Sequence, residues 1–163
     1  VFSELPKLLE RAGMGEKGSI TGLYTVLVEG DDMDEPVSDS VRSILDGHIM
    51  LSRQLANLNH YPPIDVLGSV SRLMPDIITD EHNKISQQIK DIMASYQQSK
   101  DLIEVGAYAK GTNNKLDFAI EHIDQIDAFL RQGTEEKETL DSSISRLAAI
   151  LKAPGQKEGE DEE

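Results

Sequence analysis

The spacing of apolar residues changes near Thr79, and this change constrains the fold more than any other feature of the sequence. Up to that point, short apolar segments alternate with polar segments that contain glycine or proline. From there to about Leu151, apolar residues recur every three or four positions, which is the period of an amphipathic helix. The sequence therefore predicts an α/β part followed by an all-helical part, with a boundary near residues 75–80.

The first part alternates segments typical of strands and of helices. Residues 19–28, SITGLYTVLV, are nearly uncharged and rich in β-branched and aromatic side chains, which predicts a buried strand. Because a helix usually connects neighbouring parallel strands, the alternation predicts a mainly parallel sheet with helices on its faces. The other elements predicted here are helices at residues 3–12, 36–44 and 54–58 and a strand at residues 48–51.

Three amphipathic helices are predicted in the second part, and together they describe a small bundle. The first is capped by Thr79 or Asp80 and is expected to be irregular around Ser99. The polar segment KGTNNK, residues 110–115, separates it from the second helix, which is expected to end at Gly133.

The third helix is predicted from about Leu140 to Leu151, and an acidic tail follows it at residues 153–163. The tail has no apolar anchor and is expected to be disordered. It holds five acids and one lysine, so the rest of the chain keeps about −10 of a formal net charge of −14. Because phosphate backbones are bound by clustered Lys and Arg, this acidity argues against DNA or RNA as a ligand. No apolar run approaches the roughly 18 to 20 residues that span a bilayer.

The sequence does not supply a self-contained active site. It has no cysteine, which excludes thiolate metal ligands, disulfides and cysteine nucleophiles. Neither the GxxxxGK[ST] phosphate loop nor the GxGxxG turn is present. The histidines His48, His60, His82 and His122 fall at no metal-ligand spacing, so no metal site is predicted and we interpret them as solvated or locally hydrogen-bonded.

Two segments carry a resemblance to a known family: residues 26–56, VLVEGDDMDEPVSDSVRSILDGHIMLSRQLA, and residues 60–74, HYPPIDVLGSVSRLM. They closely resemble the C-terminal half of the export ATPases of bacterial flagella and type III secretion systems, which are related to the catalytic subunits of rotary ATP synthases. The resemblance implies that residues 1–78 are the C-terminal part of a RecA-like ATPase domain and that residues 79–152 are a C-terminal helical domain.

The resemblance also implies an activity and its partners. A homohexamer would hydrolyse ATP to energise protein export at the cytoplasmic face of the bacterial inner membrane, with a central coiled-coil stalk protein, export chaperones and their substrates as partners. The family places the phosphate loop and the residues that hold Mg before the segment that begins at Val1, so this chain is expected to be inactive alone. A rotary ATP synthase subunit and a non-catalytic helical interaction module remain as alternatives.

Tyr61 and Arg72 take their expected roles from their places in the resemblance. Tyr61, in HYPPIDV, matches the aromatic residue that stacks on the adenine of ATP bound to the same subunit, and the alternative is a tyrosine that packs at a domain edge. Arg72, in SVSR, matches the arginine finger that reaches into the neighbouring subunit's site, and the alternative is a surface salt bridge. A guanidinium suits the first role because its charge is permanent and its fork of donors can contact phosphoryl oxygens.

The loop KGTNNK departs from the rotary relatives, which carry an acidic loop at this place that pushes on a central shaft. Here the loop holds Lys110 and Lys115 and no acid. Contact with a central stalk protein and an ordinary solvated turn are both open interpretations of this loop.

Overall fold

The computed structural model describes residues 4–28, 30, 32–33 and 35–152. The tail at 153–163, predicted to be disordered, lies outside the described residues. Within them the chain forms seven helices and four strands. In chain order they are α1 Leu5–Leu9, β1 Gly13–Gly15, β2 Gly18–Ile20, α2 Pro36–Ile44, β3 Gly47–Leu51, α3 Arg53–Asn57, β4 Ile64–Ser71, α4 Met74–Ile77, α5 Asp80–Glu104, α6 Asn114–Leu130 and α7 Leu140–Ile150.

Three helices of the first part, α1, α2 and α3, lie where the sequence predicts them, whereas α4 is absent from the predicted elements. α2 has the predicted ends and begins at Pro36, whose fixed φ and missing N–H suit the first turn of a helix. α3 begins after Ser52, whose hydroxyl accepts a hydrogen bond from the backbone N–H of Leu55. The helix predicted at 3–12 is shorter than expected and covers Leu5–Leu9.

The prediction of parallel strands is wrong for the described residues, which pair as two antiparallel hairpins, β1 with β2 and β3 with β4. Parallel pairing needs a crossover long enough to return the chain to the start of the next strand. From first to last residue, the five residues of α3 span about 6 Å, whereas the five residues of β3 span about 13 Å. The α/β part of the prediction is therefore confirmed only as a mixture of helices and small antiparallel sheets.

The buried strand predicted at 19–28 is also wrong. Only the first two of its residues belong to β2, and residues 21–28 form neither helix nor strand. The backbone groups of a strand need a paired neighbour, and no described segment forms backbone hydrogen bonds with residues 21–28. Leu23 and Leu27 are 93% and 89% exposed, so this segment has the composition of a buried strand without a sheet around it.

β3 and β4 form the hairpin that carries both predicted site residues. Gly47 pairs with Ser71 and Leu51 pairs with Ile64, so the five residues of β3 face the eight residues of β4. The surplus residues form a bulge in the middle of β4. The strand β3 is confirmed, but β4 is absent from the predicted elements because the prolines before it and the glycine within it are typical of loops.

The three helices predicted in the second part are confirmed as α5, α6 and α7. Thr79 caps α5 as predicted, because its hydroxyl accepts a hydrogen bond from the backbone N–H of His82 at 3.2 Å. The irregularity predicted around Ser99 is wrong, since α5 continues to Glu104. The residues around Ser99 include glutamine and lysine, which are good helix formers, so the helix continues through this polar stretch.

The core of the helical part lies between α5 and α6. The side chain of Asn113 caps α6 inside the predicted break, and the helix ends at Leu130 rather than at Gly133. α7 adds partly buried apolar residues to the edge of this core. The buried residues of the core are Ile85, Ile89, Ile92, Leu116, Ala119 and Ile126. None of the helices in the described part of the chain is long and apolar enough to span a membrane.

Candidate functional site

Tyr61 and Arg72 lie at opposite ends of the β3–β4 hairpin. Tyr61 belongs to the loop between α3 and β4, and Arg72 directly follows the last residue of β4. Because β3 pairs along β4 over five residues, the two ends of the hairpin are about 13 Å apart. The structure therefore does not bring the two predicted residues together, and any ligand bound by one is remote from the other.

The loop that carries Tyr61 is held on both flanks by α3 and β3. The backbone N–H of His60 donates to the carbonyl of Leu55 at 2.9 Å, and the N–H of Ser52 donates to the carbonyl of Pro63 at 2.8 Å. His60 is buried, at 5% exposure, whereas the neighbouring Tyr61 is 51% exposed. The peptide bond between Tyr61 and Pro62 is cis. The loop thus presents one aromatic ring to the surface from a fixed backbone.

Tyr61 is also bonded to the helical part. Its carbonyl oxygen accepts a hydrogen bond from the backbone N–H of Gln132 at 2.9 Å, two residues beyond the end of α6 at Leu130. A cavity of about 260 Å³ lies between α3 and β4 on one side and α5 and α6 on the other. Its lining includes Leu55, His60, Asp65, Tyr96 and Leu130.

Arg72 has a fixed backbone and an exposed side chain. Its N–H donates to the carbonyl of Asp46 at 2.8 Å, which extends the β3–β4 pairing by one bond. The guanidinium has one long hydrogen bond, from Nη2 to the carbonyl of Arg42 at 3.5 Å. Among the described ion pairs none involves Arg72, so the alternative of a surface salt bridge has no partner in this part of the chain.

The bulge in β4 is organised by Asp65, a residue that the sequence analysis does not single out. Its carboxylate accepts the N–H of Gly68 at 2.9 Å, and its carbonyl accepts the hydroxyl of Ser69 at 2.5 Å. Ser69 in turn accepts the N–H of Met50 at 2.9 Å, and a ring nitrogen of His48 lies 3.1 Å from the carbonyl of Gly68. The bulge takes up the extra length of β4 and thereby fixes where Arg72 emerges. The only sequence signal was an Asp followed by Gly and Ser, which also fits an ordinary turn.

The loop between α5 and α6, residues 105–113, is held by Asp117. The carboxylate of Asp117 accepts the phenol of Tyr108 at 2.9 Å and the backbone N–H of Gly111 at 2.8 Å. Lys110 pairs with Glu121 at 2.9 Å, and this hydrogen bond and the charge of Glu121 raise the pKa of Lys110 above its usual value. The loop therefore has a defined shape and its one lysine is already paired, while Lys115, the second lysine of KGTNNK, lies in α6.

The interpretation of the histidines as solvated or locally hydrogen-bonded is only partly confirmed. His122 is fully buried and its Nδ1 lies 2.8 Å from the carbonyl of Phe118, so it is locally hydrogen-bonded as expected. His60 and His122 are not solvated, because both lie below the surface. In the described residues, no group of three or more His, Cys, Asp or Glu side chains is arranged to hold a metal ion.

Two family models match the sequence and place it in a class. Residues 1–71 match the nucleotide-binding domain of the ATP synthase alpha/beta family, and residues 78–149 match the C-terminal domain of the type III secretion ATPase EscN. Tyr61 lies inside the first match and Arg72 directly after it. The chain is thus related to nucleotide-binding proteins of the ATP synthase alpha/beta class.

Individual relatives indicate which family within this class the chain resembles. The flagellum-specific ATP synthase of Bacillus subtilis (strain 168) is 48% identical over 150 residues, which cover 92% of this chain and 34% of that protein. The structure of assembled EscN from enteropathogenic E. coli matches with a TM-score of 0.89 at 44% identity, over 92% of this chain and 36% of that chain. EscN in complex with its central stalk EscO matches with a TM-score of 0.82 at 43% identity, over 92% of this chain and 35% of that chain.

The chain therefore belongs to the family of flagellar and type III secretion export ATPases. It spans about a third of the length of the curated relatives that it matches.

Proposed function

We propose that this chain is the C-terminal part of an ATPase that energises flagellar or type III protein export, and that the complete protein hydrolyses ATP at the interfaces of a homohexamer. Residues 1–78 would complete a RecA-like domain, and residues 79–152 would form the C-terminal helical domain. Apart from family membership, the observation that carries the proposal is the exposed guanidinium of Arg72, which has no carboxylate partner among the described residues.

Arg72 is suited to act on ATP bound to the neighbouring subunit. Its backbone is bonded to Asp46, so the base of the side chain is fixed, while its tip forms one long hydrogen bond that a stronger acceptor can replace. A phosphoryl oxygen is such an acceptor, because it is negatively charged and a phosphate group can accept two parallel N–H donors of the guanidinium, whereas the carbonyl of Arg42 is neutral. As negative charge develops during phosphoryl transfer, an arginine in this role contributes about 10³ to 10⁵ in rate in other nucleotide hydrolases.

Tyr61 is suited to bind the adenine of ATP in its own subunit. Half of its surface is exposed, and hydrogen bonds on either side fix the backbone of its loop. An aromatic ring presented in this way can stack on the adenine base. Because the loop is already fixed, binding does not have to order it and loses little conformational entropy there. The roughly 13 Å between the ends of the hairpin fits two roles at two different nucleotides.

The phosphates of ATP and the Mg ion are held, in this proposal, by residues outside this chain. The sequence has no phosphate-loop pattern, and the described residues have no cluster suited to a metal ion. The residues of this chain are therefore suited to bind adenine and an interfacial phosphoryl group, but they are not suited to coordinate Mg. Without the phosphate-binding residues, we expect the isolated chain to have no ATPase activity.

The partners proposed for this chain follow from the relatives. EscN has been solved in complex with its central stalk EscO, and we extend a coiled-coil stalk to this chain. The loop at residues 105–113 is the candidate contact, because Asp117 holds it in one shape and the side chain of Lys110, which pairs with Glu121, is exposed on its surface. Export chaperones, their substrates and a location at the cytoplasmic face of the inner membrane are proposed from family membership alone.

Replacing Arg72 with alanine in the complete protein tests the catalytic role. We expect the turnover number to fall by about 10³-fold or more while the dissociation constant for Mg-ADP stays close to that of the unmodified protein. Arg11→Ala removes an exposed arginine from another part of the chain and serves as the control. Turnover close to the unmodified rate in Arg72→Ala would refute the assignment.

Replacing Tyr61 with alanine in the same protein tests the binding role. The loss of one aromatic–base stack is expected to raise the dissociation constant for Mg-ADP, with a smaller change in turnover at saturating ATP. Unchanged affinity would argue against adenine stacking. If Arg72→Ala leaves turnover unchanged and Tyr61→Ala leaves nucleotide affinity unchanged, the alternative of a non-catalytic interaction module is favoured.

A complementation experiment separates the proposal from a rotary ATP synthase subunit. The complete protein is expected to restore protein export in a strain that lacks its own export ATPase, whereas a rotary synthase subunit would not.

A further inference from the structure

We propose that the backbone N–H of Gln132 positions the loop of Tyr61 and thereby couples the helical part to nucleotide affinity. This N–H donates to the carbonyl oxygen of Tyr61 at 2.9 Å. In the described part of the chain, it is the one backbone–backbone hydrogen bond that joins the residues before Thr79 to the residues beyond the first turn of α5. The inference rests on the proposed role of Tyr61 in nucleotide binding.

Among the described residues, the carbonyl of Tyr61 accepts no backbone hydrogen bond from its own side of the molecule, although the next carbonyl, that of Pro62, accepts the N–H of Ile64 at 2.8 Å. The bonds from His60 to Leu55 and from Ser52 to Pro63 fix the residues on either side of Tyr61 and Pro62. The cavity of about 260 Å³ separates α3 and β4 from α5 and α6, and His60, the residue before Tyr61, is part of its lining. The bond from Gln132 is therefore what fixes the peptide at Tyr61 itself, and it comes from the helical part.

The donor side of this bond is rigid. The side chain of Gln132 donates to the carbonyl of Glu136 at 3.0 Å, and the carboxylate of Glu136 accepts the N–H of Gly133 at 3.1 Å. A backbone bond from Glu136 to Gly133 at 3.1 Å closes the same turn. Since Gln132 also follows the end of α6 closely, a displacement of α6 moves the donor instead of being absorbed by a flexible segment.

This arrangement makes the coupling reciprocal. If the bond from Gln132 holds Tyr61 where the adenine binds, then nucleotide binding must stabilise the same bond by the same free energy. A partner that shifts α6 would then change nucleotide affinity without touching the nucleotide. Gln132 is a positioning residue in this proposal, because it acts through Tyr61 and does not contact the ligand.

Gln132→Pro in the complete protein removes the donor. Proline is compatible with this place because the preceding residue, Arg131, has φ −87° and ψ 135°, the conformation favoured before proline. Thr134→Pro is the matched control: Thr134 occupies the second position of the turn from Gly133 to Glu136, where proline is favoured, and its N–H has no backbone partner among the described residues. Gln132→Ala keeps the N–H and removes only the side-chain bond.

We expect Gln132→Pro to raise the dissociation constant for Mg-ADP by about threefold to tenfold, the effect of one lost hydrogen bond, with turnover at saturating ATP reduced by less than about twofold. Gln132→Ala should lose less affinity than Gln132→Pro. Equal losses in the two variants, or equal affinity in Gln132→Pro and Thr134→Pro, would overturn the inference. If Tyr61→Ala itself leaves affinity unchanged, the proposed role of Tyr61 fails and this inference fails with it.

Hydrogen exchange in the unmodified protein tests the same coupling without a substitution. Saturating Mg-ADP should slow hydrogen exchange at the Gln132 amide. The factor should be similar to the factor by which Gln132→Pro raises the dissociation constant for Mg-ADP. The amide of Thr134 reports general stiffening of the segment and should change less. Exchange at Gln132 that is insensitive to Mg-ADP would overturn the inference, even if Tyr61→Ala weakens binding as proposed.

Discussion

Replacing Gly47 with alanine is expected to displace Arg72 while leaving the loop of Tyr61 in place. A Cβ at Gly47 would lie 2.6 Å from the carbonyl oxygen of Val70 and 3.2 Å from the Cα of Ser71. Both atoms belong to the backbone of β4, so no side-chain rotation relieves the contact. The strands must separate at this end of the hairpin, which is the end where Arg72 emerges.

The size of the effect follows from this geometry. The shorter contact is about 1 Å less than the roughly 3.5 Å at which such atoms meet without repulsion. Overpacking of this kind costs about 1–3 kcal/mol, and the adjoining hydrogen bond from Arg72 to Asp46 contributes about 1 kcal/mol that would also be weakened. A displacement of about 1 Å at a catalytic group can lower a rate by about a hundredfold.

Gly47→Ala is measured in the complete protein by thermal unfolding, by turnover at saturating ATP and by the dissociation constant for Mg-ADP. We expect a lowered unfolding midpoint, turnover lower by about a hundredfold and nearly unchanged affinity, because Tyr61 lies at the other end of the hairpin. Gly18→Ala is the matched control, since it also substitutes a hairpin glycine but its Cβ meets no atom within 4 Å. Normal turnover in a Gly47→Ala variant of lowered stability would refute the reasoning that the spacing of β3 and β4 places Arg72.

Two further substitutions test the helical part. Ile126→Ala removes a side chain with 0% exposure from the core and is expected to lower the free energy of unfolding by about 2–5 kcal/mol, whereas Leu140→Ala, at 68% exposure, should change it little in the same denaturant titration. The hydrogen bond from Ser142, and next the charge of Arg146, lower the pKa of Glu138 below its usual 4.5. Its carboxylate therefore stabilises the fold above pH 4.5 and loses this effect as the pH falls through the lowered value, so Glu138→Gln should reduce the unfolding midpoint near neutral pH but not in acid.

The helical part could be predicted well because its signals are local. Apolar residues at helical spacing defined three helices, and the first was predicted to be capped by Thr79 or Asp80, of which Thr79 is the cap. The prediction around Ser99 failed because a polar stretch was taken for a break, although its residues suit an exposed helix face. Burial of the resulting stripes then follows mainly from packing of the three helices on one another, while α5 and α6 also face α3 and β4 across the cavity.

The first part was predicted less well because its structure depends on contacts between distant residues. The segment 19–28 has the composition of a buried strand, but composition cannot supply the neighbouring strand that its backbone needs. β4 was missed for the opposite reason: its bulge depends on bonds from Asp65 and on Ser69 meeting Met50 across the hairpin. No local pattern records such a pairing.

The candidate site was predicted as two residues, and their roles came from resemblance rather than from physical pattern. An exposed tyrosine and an exposed arginine are common, and nothing in their spacing indicates that they lie at the two ends of one hairpin. The bond from Gln132 to Tyr61 could not be predicted at all, because a backbone donor leaves no signature in the side-chain sequence.

The β3–β4 hairpin also has a mechanical consequence for the proposed ring. If Tyr61 and Arg72 have the proposed roles, the hairpin would act as a short lever, with the adenine-facing loop at one end and the arginine for the adjacent subunit at the other. A tilt of this lever that brings Arg72 towards one nucleotide changes the position of Tyr61 at another. Under the proposed roles, the hairpin would therefore couple hydrolysis at one site to the affinity of the next site for its nucleotide.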